Sequence, residues 1–140
     1  MENQLIRVGT TYIPVSDPRV SAAWYKEKLG AEVNYEDQDK AIIDLAGQSF
    51  FLVKASENEK ANFFDQKGAE RFSLTFEVDG IESLKSFHHT LHSLGVKTGV
   101  IENRGHAGRN FVFSDPDGNL FDVWSELSSA FRKGGSVENS

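Results

Sequence analysis

The chain is written twice, and that repetition narrows the folds open to it. Gly9-Thr-Thr-Tyr-Ile-Pro-Val-Ser-Asp17 alternates, with Thr11, Ile13 and Val15 on one side and Thr10, Tyr12 and Pro14 on the other. Arg71-Phe-Ser-Leu-Thr-Phe-Glu-Val-Asp79 alternates in the same way: Phe72, Leu74, Phe76 and Val78 form an apolar side, and Ser73, Thr75 and Glu77 face the other. Each strand then runs into a helix with its own start signal. Asp17 precedes Pro18, a residue favoured at the first helical position, and Asp79 is followed three residues on by Glu82, a capping-box pattern. Each helix stops at Leu-Gly, first at Leu29-Gly30 and again at Leu94-Gly95, because glycine accepts the left-handed backbone past a helix end.

Three strand candidates follow each helix. They are Glu32 to Tyr35, Ala41 to Leu45 and Ser49 to Lys54 in the first half, and Lys97 to Glu102, Asn110 to Ser114 and Leu120 to Ser125 in the second. The last hairpin of the second half turns through Asp115-Pro-Asp-Gly-Asn119, where proline presets φ, the Asp side chains bond nearby backbone, and Gly118 with Asn119 tolerates a left-handed conformation. Asp44-Leu-Ala-Gly47 occupies the equivalent place in the first half. The prediction is an α+β fold of two tandem βαβββ modules, with curved mixed or antiparallel sheets forming a cleft and the helices outside. Module one spans about 5–54 and module two about 71–126, within one domain over 1–126. Polar residues 55–70 read as a linker with Phe63 and Phe64 as its anchor, and 127–140 as a polar tail, frayed from Arg132 on.

At 140 residues the chain suits one core, and its 39% hydrophobic and 26% charged content is ordinary for a globular protein. A net charge of −6 argues against a nucleic-acid partner, and no apolar run approaches the length of a membrane span. The opening Met-Glu-Asn-Gln is acidic and polar, unlike a signal peptide. With no cysteine there is no disulfide, thiolate nucleophile or thiolate metal site. The expectation is a cytoplasmic protein that binds neither nucleic acid nor membrane.

Several residues carry chemistry by type and placement. Asp122 and Trp124 share the polar parity of their strand, as Ser73, Thr75 and Glu77 do of theirs. If Glu77 and Asp122 approach each other, repulsion and burial make one of them an acid and the other a base. Beside aromatic walls, drawn from Tyr12, Phe50 or Phe51, and Trp124, the same carboxylates suit a cationic planar ligand. The glycine-rich loop Arg104-Gly-His-Ala-Gly-Arg109 has cations that can close over an anionic group, or simply be solvated. On the second helix His88 and His92 fall on the edge of an apolar stripe of Ile81, Leu84, Phe87, Leu91 and Leu94, and His89 lies well outside it, so they read as the helix's polar flank; Trp24 reads as packing. Neither a serine-nucleophile motif nor a phosphate-cradling loop is present.

Val15-Ser-Asp17, Ser21-Ala-Ala-Trp-Tyr25 with Leu29-Gly30, Phe76-Glu-Val-Asp79 and Asp115-Pro-Asp-Gly-Asn119 together span about residues 7 to 126. In order and spacing they resemble the vicinal oxygen chelate superfamily, which includes glyoxalase I, extradiol dioxygenases, methylmalonyl-CoA epimerase and the bleomycin-resistance proteins. The resemblance implies metal-ligand positions on the first, fourth, fifth and eighth strands. Here they hold Thr10, Phe51 or Leu52, Ser73 and Asp122, and only Asp122 is a strong ligand. The expectation is therefore no metal and no cofactor. By the same resemblance the protein is a homodimer, with paired or swapped modules, that binds a small molecule such as an antibiotic in its cleft and sequesters it. The ligand-binding residues expected are Thr10, Tyr12, Ser73, Thr75, Glu77, Asp122 and Trp124, with His106 and Arg109 at the mouth. One alternative is a lyase or isomerase using either a displaced metal site at Asp122 and His106 or Asp122 and Glu77 as an acid–base pair. Another is a protein–protein module whose cleft is a relic.

Overall fold

The computed structural model describes residues 2–132, so most of the expected tail, 133–140, lies outside the described residues. The chain divides into two compact units. The first runs to Ala61 and takes in the turn Pro116–Asn119, while the second holds Asn62–Asp115 and the chain from Leu120 onward.

In the first unit, β1 (Thr10–Val15), α1 (Pro18–Leu29), β2 (Glu32–Glu36), β3 (Lys40–Leu45) and β4 (Gln48–Lys54) form one βαβββ module. Its sheet has the order β1-β4-β3-β2, with β1 parallel to β4 and the other pairs antiparallel. Asp17 caps α1 by accepting from the backbone of Arg19 and Val20, and Gly30 ends it at φ 74°. The β3–β4 hairpin turns through Ala46 and Gly47, both at positive φ (52° and 76°), the twist that a two-residue hairpin requires. The helix covers the apolar side: Ala22 and Tyr25 are buried together with Ile13, Val15, Ala41, Ile43, Phe50 and Leu52. Phe50 is thus core, and Phe51 is the aromatic of the opposite face.

The turn Pro116–Asn119 is held by more than its local geometry. Gly118 takes the left-handed φ (84°), but Asn119 does not and works through its side chain instead. Fully buried, Asn119 donates from Nδ2 to the Pro14 carbonyl (2.9 Å) and accepts at Oδ1 from the Ala61 amide (2.8 Å). Asp117 Oδ1 accepts from the Ser16 amide at 3.1 Å.

The second unit has β5 (Phe63–Phe64), β6 (Glu70–Arg71), β7 (Thr75–Glu77), α2 (Ile81–Ser93), β8 (Asn110–Ser114) and β9 (Leu120–Trp124). Its main sheet has the order β7-β9-β8, with β7 parallel and β8 antiparallel to β9, while β5 and β6 make a separate antiparallel pair. Within the segment 55–70, read from sequence as a linker, lie β5 and the first residue of β6. Phe63 and Phe64 are exposed (50% and 69%) rather than buried anchors. The single strand expected from Arg71 to Asp79 is broken, with Phe72 to Leu74 between β6 and β7. The strand expected at Lys97 to Glu102 is reduced to two isolated bridges, Thr98 to Phe113 and Glu102 to Asn110.

The capping box at Asp79 does not form either. Gly80 is the N-cap of α2 at φ 96°, and no side chain caps the helix. Gly80 gives its amide to the Val78 and Ser125 carbonyls, which ties the start of α2 to the residue after β9 and leaves Asp79 outside the capping position. The buried stripe of α2 is narrower than expected: Leu84 and Leu91 are fully buried and Phe87 packs on Phe111 and Phe113, while Ile81 and Leu94 are exposed. His88 packs edge-on to Phe111 and donates from Nε2 to the Gly99 carbonyl at 2.8 Å.

Candidate functional site

In the first unit, strand register sets side chains of the helix-free face in rows. Tyr12, Phe51, Ile42 and Tyr35 are partners across the four strands, and Thr10, Ser49, Asp44 and Glu32 make a polar row beside them. Tyr12 stacks on Phe51 with ring centroids 5.1 Å apart and planes 9° from parallel. Tyr12 is 65% exposed and Tyr35 47%, with Phe51 and Ile42 half-buried between them, so the row is a largely aromatic strip exposed at both ends.

Its outer end is fastened by Asp37. The Tyr35 hydroxyl donates to Asp37 Oδ2 at 2.7 Å, Lys40 Nζ lies 3.0 Å from the same oxygen, and Oδ1 accepts from the amides of Asp39 and Lys40. The Tyr35 hydroxyl and then the Lys40 ammonium hold the Asp37 carboxyl well below the usual carboxylate range. In return, hydrogen bonding to Asp37 pushes the Tyr35 hydroxyl up, and the same partner raises Lys40.

The helix-free face of the second unit is more polar. One row reads Glu77, Trp124, Asn110 and Glu102, and the next reads Thr75, Asp122 and Val112. Asp122 is 2% exposed and Asn110 3%. Asp122 Oδ2 accepts from the Thr75 hydroxyl (3.0 Å) and from Asn110 Nδ2 (2.9 Å). The Arg104 guanidinium lies against the other oxygen, with Nη1 3.1 Å from Asp122 Oδ1 and Nη2 donating to Glu102 Oε2 at 3.0 Å. Nη1 is near enough to pair in charge but is not aligned for a hydrogen bond, so Asp122 Oδ1 keeps an unfilled lone pair, and Asn110 Oδ1 has no partner at all. A buried acceptor left in that state costs about 1–3 kcal/mol. The Phe72 ring completes the surroundings, 5.6 Å from the Arg104 guanidinium carbon and 5.5 Å from that of Arg71.

Beside this cluster the loop 103–109 folds onto Trp124. Trp124 Nε1 donates to the Ala107 carbonyl (2.9 Å), and the His106 ring meets Trp124 edge-on at 5.8 Å. Gly108, at φ 76°, sits so close that a Cβ there would lie 2.7 Å from Ser125 Oγ and 2.9 Å from Trp124 Nε1.

Of the residues expected from sequence, Thr75 and Asp122 are in direct contact, and His106 touches Trp124. Glu77 stands opposite Trp124, one row from Asp122, and its Oε1 accepts from the Ser128 amide (3.0 Å), just before helical residues 129–132. Ser73 is exposed between β6 and β7, and Arg109 is exposed with Nη1 turned back to the Gly108 carbonyl. Thr10 and Tyr12 belong to the first unit. Sequence reasoning missed Asn110, Glu102 and Phe72, and read Arg104 as a loop cation for an anionic group rather than as the partner of Asp122. The parity of β8 held a signal for Asn110, whereas Arg104 points from an irregular loop that no periodicity describes. Among the described residues, no three His, Asp or Glu side chains gather closely enough to share an ion.

A family model described as the glyoxalase/bleomycin resistance protein/dioxygenase superfamily matches residues 7–123. No curated protein sequence matches the chain. Among solved structures, the fosfomycin resistance protein FosX of Listeria monocytogenes superposes with a TM-score of 0.71 at 17% identity, covering 89% of this chain and 96% of FosX. A lactoylglutathione lyase of Agrobacterium tumefaciens gives 0.69 at 16% identity, covering 87% and 95%. TnmS3, an antibiotic-binding protein from a Streptomyces species, gives 0.68 at 21% identity, covering 88% and 98%.

Proposed function

Given that this chain belongs to the glyoxalase/bleomycin resistance protein/dioxygenase superfamily, we propose that it is a metal-independent small-molecule-binding protein that sequesters its ligand. The observation that carries this reading is the state of Asp122. FosX has been crystallised with Mn(II), and a divalent ion needs several carboxylate or imidazole donors free to face it. Here the one carboxylate at the four implied positions is already met by a hydroxyl, an amide and a guanidinium. At the fourth-strand position Phe51 faces outward and Leu52 is buried in the core, so neither residue offers a donor. This donor set does not fit a divalent ion, and no step is routed through one.

TnmS3 is by its name an antibiotic-binding protein, and a comparable use suits this chain. In the second unit Ser73 and Thr75 would orient a ligand and Trp124 would stack on it, and in the first unit Thr10 and Tyr12 offer a hydroxyl and an aromatic face of the same kinds. Asp122 and Glu77 would pair with its donors, and His106 and Arg109 border it. Glu77, engaged by the Ser128 amide and one row from Asp122, gives the acid–base alternative no particular support. The same reading includes a homodimer in the cytoplasm, and the absence of cysteine is consistent with a reducing compartment.

The test is a thermal-shift screen of the metal-stripped protein against divalent ions, antibiotics, thiol adducts and acyl-CoA esters. A true ligand at a hundredfold excess over its Kd stabilises the fold by about 2.7 kcal/mol. The expected result is stabilisation by an organic compound with no response to Mn, Ni, Zn or Fe. A stoichiometric metal that raises the melting temperature overturns the metal-independent assignment.

A further inference from the structure

We infer that the cluster around Asp122 is a receptor for an organic nitrogen cation, an ammonium or guanidinium group, and that Arg104 is the occupant the chain supplies for itself. This deepens the small-molecule-binding reading and rests on it. The unfilled acceptors point to such a ligand. Asp122 Oδ1 and Asn110 Oδ1 belong to residues that are 2% and 3% exposed and whose side chains are hydrogen-bonded to one another, yet neither oxygen has an aligned donor. What is missing is a group that only donates. An ammonium or guanidinium is such a group, whereas an anion or a carbonyl would add a further acceptor.

Charge agrees with the hydrogen bonds. Arg104 brings one positive charge against the two carboxylates of Asp122 and Glu102, and the nearby Arg71 is itself paired with Asp65 at 3.6 Å. The Phe72 ring offers an aromatic face to the same point, a surface that favours a cation. Arg104 is also poorly seated. Its two arms go to different carboxylates instead of forking onto one, and the arm toward Asp122 is misaligned. Its side chain is 26% exposed, and Gly105 follows it at φ 88° on an irregular loop. A ligand cation that fills both orphaned oxygens would replace Arg104 at Asp122 and leave it on Glu102 and in water.

The probe is methylguanidinium, compared with methylurea, its neutral counterpart of nearly the same shape, by calorimetric titration at low salt. In Arg104→Ala the vacated receptor is expected to bind methylguanidinium at least about tenfold tighter than methylurea, and Arg104→Ala/Asp122→Asn is expected to lose that preference. Equal binding of the two probes by Arg104→Ala, or a preference that survives in the double variant, overturns the inference. If Arg104→Ala does not fold, the intact protein is read by NMR. There methylguanidinium, and not methylurea, is expected to shift the Asn110 side-chain amide and the Arg104 Nε–H; identical responses overturn the inference. Failure here is distinct from failure of the broader reading. A neutral compound from the thermal-shift screen that binds wild type and Asp122→Asn equally would sustain small-molecule binding even where the two probes show no preference and the cation receptor is overturned.

Discussion

Asp37 concentrates four hydrogen bonds on one half-buried carboxylate, and its titration can be followed at Tyr35. Because the folded chain holds this carboxyl below its ordinary value of 3.8, the bonds contribute fully above that pH. Their contribution fades as pH falls below 3.8 toward the folded value. The stability gap between wild type and Asp37→Asn in urea is therefore expected near neutral pH and should close in acid. A gap that persists unchanged in acid would assign the effect to something other than the charge. In the same variant Tyr35, no longer donating to a carboxylate, should ionise nearer the ordinary 10.0, visible in tyrosinate absorbance. Asn119 acts by hydrogen bonding instead. Asn119→Ala strips partners from the Pro14 carbonyl and the Ala61 amide, and is expected to lower unfolding stability by about 2–3 kcal/mol with little change in the urea m-value. A loss within error of zero would show that solvent replaces both bonds.

Among the elements, strands and helices followed their patterns closely where a period of two or of 3.6 was complete. β8 covers the residues read from sequence, and α1 starts and stops at Asp17 and Gly30 as its caps require. Pattern failed where tertiary bonds competed with it. Gly80 displaced Asp79 as the cap of α2, and the alternating run from Arg71 broke before Thr75. The loop 103–109 had no period to read, yet it is tightly fitted. Gly108→Ala would place a methyl 2.7 Å from Ser125 Oγ and force an L side chain into positive φ. The expected cost is about 1–3 kcal/mol, with loss of the Trp124 to Ala107 hydrogen bond and a shift in tryptophan emission. Unchanged emission and stability would mean that the loop is not seated on Trp124 in solution.

For the whole molecule, two helix-free faces remain, one aromatic, one polar around a buried carboxylate. β1 is also an outer strand of its sheet, and just before it Leu5, Ile6 and Val8 are exposed (81%, 93% and 67%). Association between two copies would cover such an edge and its apolar approach. Light scattering after gel filtration is expected to give twice the chain mass of 15.6 kDa, and Ile6→Asp to move that value toward a single chain. A single-chain mass for wild type at micromolar concentration would remove the homodimer from the proposal.

The sequence by itself determined the first βαβββ module with the caps of α1, the helix and final hairpin of the second half, and the parity that sorts each strand into a core side and a helix-free side. These follow from interactions between residues close in the chain and from the alternation of apolar side chains. It also restricted the implied ligand positions to one carboxylate, since residue type alone decides what a side chain can donate. Only tertiary structure decided which groups meet that carboxylate. Thr75, Asn110 and Arg104 reach Asp122 from two other strands and a loop, across separations at which neither propensity nor periodicity carries information. The orphaned oxygens appear only once those partners have been brought together and found to be too few.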